Sequence, residues 1–87
     1  MNDSDLELSV RRAVAETAAI HVSQVQKSQV LRDHLGLDSI DLMELIFLLE
    51  RQFQIKLKRS DFIEVLGKNP GQATVSEVTE LVRGKLG

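Results

Sequence analysis

The sequence contains no cysteine, no tryptophan and no tyrosine. Without cysteine there is no disulfide framework, no thiol nucleophile and no thiolate metal ligand, which fits a reducing compartment. Three phenylalanines are the only aromatic residues, so no platform exists on which bases could stack. The formal net charge is −2. With no cationic excess to displace counterions, nucleic acid is not expected as a partner. The longest uninterrupted apolar run, Leu45 to Leu49, spans five residues, far short of the about 20 that a membrane helix needs. The opening Met1-Asn2-Asp3-Ser4-Asp5 is acidic and polar, the wrong start for a secretory signal. Cytoplasmic residence without membrane insertion is therefore expected.

The chain has 87 residues, the size of a single domain covering 1–87. Such a domain buries only about 60% of its unfolded surface, and its core must be aliphatic. Charge is unevenly spread. Residues 1–50 carry nine acids against four Lys/Arg, a net of −5, whereas residues 51–87 carry four acids against seven Lys/Arg, a net of +3. The two halves should therefore offer different surfaces to partners. No repeat or low-complexity tract interrupts the chain.

Hydrophobic periodicity predicts helices. Ser4 with Glu7 reads as a capping box, followed by Leu6, Val10, Ala13, Val14, Thr17 and Ala18 at helical spacing, which predicts a first helix over about Asp5 to Ala19. Residues 20–37 are weakly periodic, and a loop of this length in a compact domain is often functional. Val22, Val25, Val30, Leu31 and Leu35 are expected to pin it to the helices. Asp38 and Ser39 open a second helix, whose core face is Leu42, Leu45, Ile46, Leu49 and Phe53. Ile40, Met43 and Phe47 make a second apolar strip, wider than one packing partner needs. A short third helix is expected from Ser60 or Asp61 to Leu66, stopped by Gly67. Lys68-Asn69-Pro70-Gly71 is a loop by its turn chemistry. Thr74 with Glu77 caps a last helix carrying Val75, Val78, Leu81, Val82 and Leu86. The expected architecture is an all-α bundle of three longer helices and one short one, with a long loop between the first two.

The stretch Leu35-Gly36-Leu37-Asp38-Ser39-Ile40-Asp41, continued by Leu42-Met43-Glu44-Leu45, resembles the modification site of acyl carrier proteins. In that family a Gly-x-Asp-Ser-Leu-Asp segment starts the second helix and its serine receives phosphopantetheine; here Ile40 replaces the leucine. The loop spacing, Glu50, Phe53 and Thr74-Val75 extend the resemblance over nearly the whole chain. It implies an acyl-carrier-like four-helix bundle with 4'-phosphopantetheine attached covalently to Ser39, holding acyl groups as thioesters for fatty-acid, lipid or polyketide-type synthesis. Helix geometry is compatible with this, because a phosphodiester at a helix start sits near the positive end of the dipole. The resemblance also implies a monomer without catalytic activity of its own. A phosphopantetheinyl transferase and acyl-transferring or condensing enzymes would dock on Asp38, Ile40, Asp41, Glu44, Phe47 and Leu48. An acyl-chain cavity bordered by Met43, Phe47, Phe62, Ile63 and Leu66 is implied in the same way.

Other readings exist for the same residues. Asp38 and Ser39 also suit a plain helix cap, and Asp41 and Glu44 a solvated face. Asp33, His34, Asp38 and Asp41 match no dedicated metal-ligand spacing, and no metal site is expected. Ser39 has no partner of the triad kind that sequence can name. An aminoacyl or peptidyl carrier and an unmodified helical adaptor are the alternative functions. One departure from the family stands out. Arg51, Lys56, Lys58 and Arg59 occupy the end of the second helix and the segment just after it, where bacterial fatty-acid carriers are acidic, which points to a specialised pathway.

Overall fold

The computed structural model describes residues 2–87. Four helices account for the architecture: α1 (Asp3–Ala18), α2 (Ser39–Phe53), α3 (Arg59–Asp61, continued by a π-helical turn, Phe62–Leu66) and α4 (Val75–Leu86). Two short 3-10 turns, Val22–Gln24 and Pro70–Gln72, lie in the connections. The expected bundle of three longer helices and one short one is the bundle that forms. Among the described residues, β-type pairing is confined to a single bridge between Val30 and Thr74.

The start of α1 differs from expectation. Asn2, not Ser4, is the N-cap: its side chain accepts from the Asp5 N–H at 2.8 Å. Asparagine caps as well as serine, and beginning earlier places Asp3 and Asp5 in the first turn, where the dipole favours acids. The helix ends at Ala18, with Ala19 in the left-handed region closing it.

The core is aliphatic. Leu6, Val10, Ala13 and Val14 of α1 meet Leu42, Leu45, Leu49 and Phe53 of α2 and Val75, Val78, Leu81 and Val82 of α4, with Phe62 of α3 closing one end. Each large side chain so buried stabilises the fold by about 1.5–3 kcal/mol. Leu86, expected among them, is exposed at the last position of α4.

The third helix also departs from the regular helix expected. Its second turn is π-wide: the Gly67 N–H reaches Phe62 O, five residues back, as well as Ile63 O at 3.0 Å. Phe62 is buried, whereas Ile63 and Val65 face solvent. Gly67 ends the turn at φ 68°, a conformation that favours glycine.

The long loop is tied down at several points. Val25, Leu31 and Leu37 are fully buried, and Val22 and Leu35 pack against the core. The Arg11 guanidinium of α1 donates to Val25 O at 3.0 Å and Val22 O at 3.2 Å. Further on, the loop runs beside the segment leading into α4. Leu31 N–H donates to Ala73 O, Arg32 N–H to Gly71 O and Val75 N–H to Gln29 O, each at 3.0 Å. The segment 68–71, expected as a loop, contributes the start of the second 3-10 turn, and Pro70 and Gly71 are buried.

Candidate functional site

Ser39 is the first residue of α2 and is exposed. Its position is set by its neighbours. The Gly36 N–H donates to Arg32 O at 3.0 Å and the Leu37 N–H to Leu31 O at 3.1 Å, turning the chain through Gly36, whose φ of 70° suits glycine. Leu37 then anchors in the core and Asp38 caps the helix. The capping is reciprocal: the Asp38 carboxylate accepts from the Asp41 N–H, and the Asp41 carboxylate accepts from the Asp38 N–H. Ser39 is thereby held at a rigid, solvent-facing corner between a buried leucine and a closed cap.

A cleft of about 180 Å³ opens beside Ser39. Leu42, Met43, Ile46 and Pro70 supply apolar surface, and Arg32, Arg59 and Gly71 complete the wall. A second, wider groove of about 570 Å³ lies between the end of α1 and α2, lined by Glu16, Thr17, Glu44, Phe47, Leu48, Glu50 and Arg51. Ser39 does not border this larger groove; the smaller cleft is the one within reach of anything attached to the serine.

The side chains expected to dock partners share one stretch of α2. Ile40 is 69% exposed and Phe47 57% exposed, and the neighbouring Met43 is 56% exposed. These values make the second apolar strip a solvent-facing surface, not a buried one. Asp38 and Glu44 are exposed beside it, Asp41 is half-buried in the cap, and Leu48 is half-buried in the wider groove. Glu50 serves the backbone instead. Its Oε2 accepts from the Leu57 N–H at 3.1 Å, fixing the turn after α2.

The five residues expected around an acyl-chain cavity do not share either of the two clefts just described. Met43 borders the cleft at Ser39, whereas Phe47 faces the groove shared with α1. Phe62 is sealed in the core, Ile63 is 52% exposed and Leu66 is half-buried. Phe62 and Ile63 are neighbours on one helix, about 100° apart around its axis, so with Phe62 in the core Ile63 falls on the solvent side. The cleft that does border Ser39 uses Arg32, Pro70 and Gly71, which sequence reasoning did not single out. Arg32 and Gly71 lie 39 positions apart and meet only through the loop pairing, so no local signal announces them.

The two histidines close local turns. His21 Nδ1 accepts from the Ser23 N–H at 3.1 Å, and His34 Nδ1 accepts from the Val30 N–H at 2.7 Å. Among the described residues, no group of three or more His, Asp or Glu side chains is placed to hold a metal ion. Among the same residues, no helix is long and apolar enough to cross a membrane.

Comparison with known proteins agrees with this arrangement. The family model described as "Phosphopantetheine attachment site" matches residues 9–68, a span running from α1 through α3 with Ser39 inside it. The chain is also similar to the acyl carrier protein of an Exiguobacterium species (strain AT1b). The two are 30% identical over 86 residues, covering 99% of this chain and 100% of that protein.

Proposed function

The chain belongs to the acyl carrier protein family, whose covalent group is phosphopantetheine and whose members carry substrates without catalysing their conversion; from that premise we propose that Ser39 is the attachment point of the arm. The observation that carries this reading is the geometry of the Ser39 corner. The serine is exposed, stands at the first position of a 15-residue helix and borders a cleft with two arginines. These features fit a phosphodiester, whose charge the helix N-terminus and the guanidinium groups favour. Once bound, the group supplies a terminal thiol on which acyl groups are held as thioesters, a function that a cysteine-free chain cannot provide.

The residues of the chain then have distinct roles. Asp38 and Asp41 fix the start of α2 by capping it. Ile40, Met43 and Phe47 offer an apolar strip, flanked by Glu44, that suits transient docking of a phosphopantetheinyl transferase and of acyl-transferring or condensing enzymes. Charge at such a surface sets encounter rate and partner choice more than raw affinity. The basic Arg51, Lys56, Lys58 and Arg59 are all exposed, which supports service in a dedicated lipid or polyketide-type pathway over bulk fatty-acid synthesis.

Incubation with coenzyme A and a broad-specificity phosphopantetheinyl transferase should add the mass of one arm, and Ser39→Ala should abolish the addition. Wild-type protein that stays unmodified with several such transferases, or a Ser39→Ala variant that is still modified, would refute the assignment.

A further inference from the structure

We propose that Arg32 and Arg59 form an oxyanion seat in the cleft beside Ser39. Its occupant is a negatively charged group of the attached arm, either the phosphodiester at the attachment point or a carboxylate on the acyl cargo. The inference rests on Ser39 as the attachment point, and it names the site that Arg32 and Arg59 share beside it.

The first support is how Arg32 is held. Its N–H donates to Gly71 O at 3.0 Å, and its guanidinium lies directly against Gly71. A Cβ built on Gly71 would stand 2.8 Å from Arg32 Cζ and 2.9 Å from Nε and Nη2. The absent side chain at position 71 is thus the space in which the guanidinium rests. Position 71 needs no glycine for its own backbone, because its φ is not in the left-handed region. Close approach of the guanidinium is the reason a glycine suits it.

The second support is charge. Lys27, Lys68, Arg83 and Lys85 each pair with a carboxylate. Among the described residues, neither Arg32 nor Arg59 forms an ion pair, yet both line the same cleft as Ser39. The acids nearest in sequence, Asp38 and Asp41, are engaged with each other's backbone N–H groups. A phosphodiester on Ser39 would add a third negative charge beside them, and the cations lining its cleft are these two arginines. The planar guanidinium presents paired donors to phosphate and carboxylate alike. Leu42, Met43, Ile46 and Pro70 supply the apolar part of the same cleft's wall.

The test tracks the Arg Nε–Hε resonances of the full chain by 15N NMR in four forms: without the arm, with the arm alone, with the arm carrying hexanoyl, and with the arm carrying adipoyl. Intact mass confirms each loading. If the phosphodiester is the occupant, the Arg32 and Arg59 resonances move on addition of the arm alone. If the cargo carboxylate is the occupant, they move with adipoyl and not with hexanoyl. Gly71→Ala should diminish the Arg32 shift while the arm still attaches and the fold persists, because the added methyl displaces only the end of a flexible side chain. Arg32→Gln with Arg59→Gln should remove any rise in melting temperature that the occupant produces. Correctly loaded protein in which neither resonance moves, or moves equally with hexanoyl and adipoyl but not with the arm alone, overturns the seat and leaves the carrier function standing. Failure of the arm to attach at Ser39 overturns both.

Discussion

The Asp41 N–H donates to Asp38 Oδ1 at 2.8 Å, while Asp41 Oδ2 accepts from the Asp38 N–H at 3.1 Å. The candidate attachment serine therefore sits inside a closed ring of two carboxylates and two amides. This pairing satisfies donors that a helix start otherwise leaves open, and it stiffens the corner at which a transferase would find Ser39. Asp38→Ala should destabilise the fold by about 1 kcal/mol, the usual cost of losing such a cap. For a domain of this size that lowers Tm by about 4–8 °C. Asp38→Asn keeps an acceptor and should recover most of the loss. Thermal melts of the two variants check this, and equal losses would show that the cap itself contributes little.

The matching corner of α4 makes stability depend on pH. Glu77 accepts from Lys68 Nζ at 2.9 and 2.8 Å and from the Thr74 N–H at 2.9 Å. The Lys68 ammonium above all, and then the Thr74 amide, hold its carboxyl below the ordinary glutamate range. A carboxyl with a depressed folded-state pKa contributes stability that is complete above its unfolded value and lost as pH falls through the folded one. Glu77→Gln should therefore melt below wild type at neutral pH, with the gap closing as pH falls below the ordinary glutamate range. Melting curves from neutral to acid pH read this directly; a gap that stays constant would assign the loss to shape rather than charge.

Charge at the far end of α2 should govern partner choice. Arg51 lines the groove that also holds Glu44 and Phe47, so it lies beside the apolar docking strip. The protein is expected to be a poor acceptor for the malonyl-transfer enzyme of bulk fatty-acid synthesis. Reversal with Arg51→Glu and Lys56→Glu should raise the transfer rate, and more so at low salt, where exposed charges are least screened. Wild-type rates equal to those of the host's main carrier would count against specialisation.

An acyl chain on the arm has a nearby apolar surface in the cleft of Leu42, Met43 and Ile46. Each methylene buried there contributes about 0.8 kcal/mol before ordering costs, so Tm should rise with chain length. The rise should level off early, because the cleft measures only about 180 Å³. Chemical shifts should change at Met43 and not at Phe47, which faces the other groove. A flat Tm series would leave the chain in solvent.

The sequence by itself determined the helical segments and their polarity of burial. Leu42, Leu45, Leu49 and Phe53 recur at a helical period and are buried together, as are Val75, Val78, Leu81 and Val82. The Thr74–Glu77 cap, the stop at Gly67 and the start of α2 at Ser39 were equally legible. Periodicity, turn chemistry and capping are local, and local rules need no knowledge of what packs where. The same rules misplaced the cap of α1, because Asn2 and Ser4 are both good caps and only the folded energies choose between them. Tertiary structure alone decided the rest. The packing of α3 on the bundle put Phe62 in the core and left the adjacent Ile63 in solvent. The pairing of residues 29–32 with 71–75 brought Arg32 against Gly71 and built the cleft beside Ser39. Contacts between positions so far apart carry no period and no motif, since they are set by how closed backbones meet once the helices have packed.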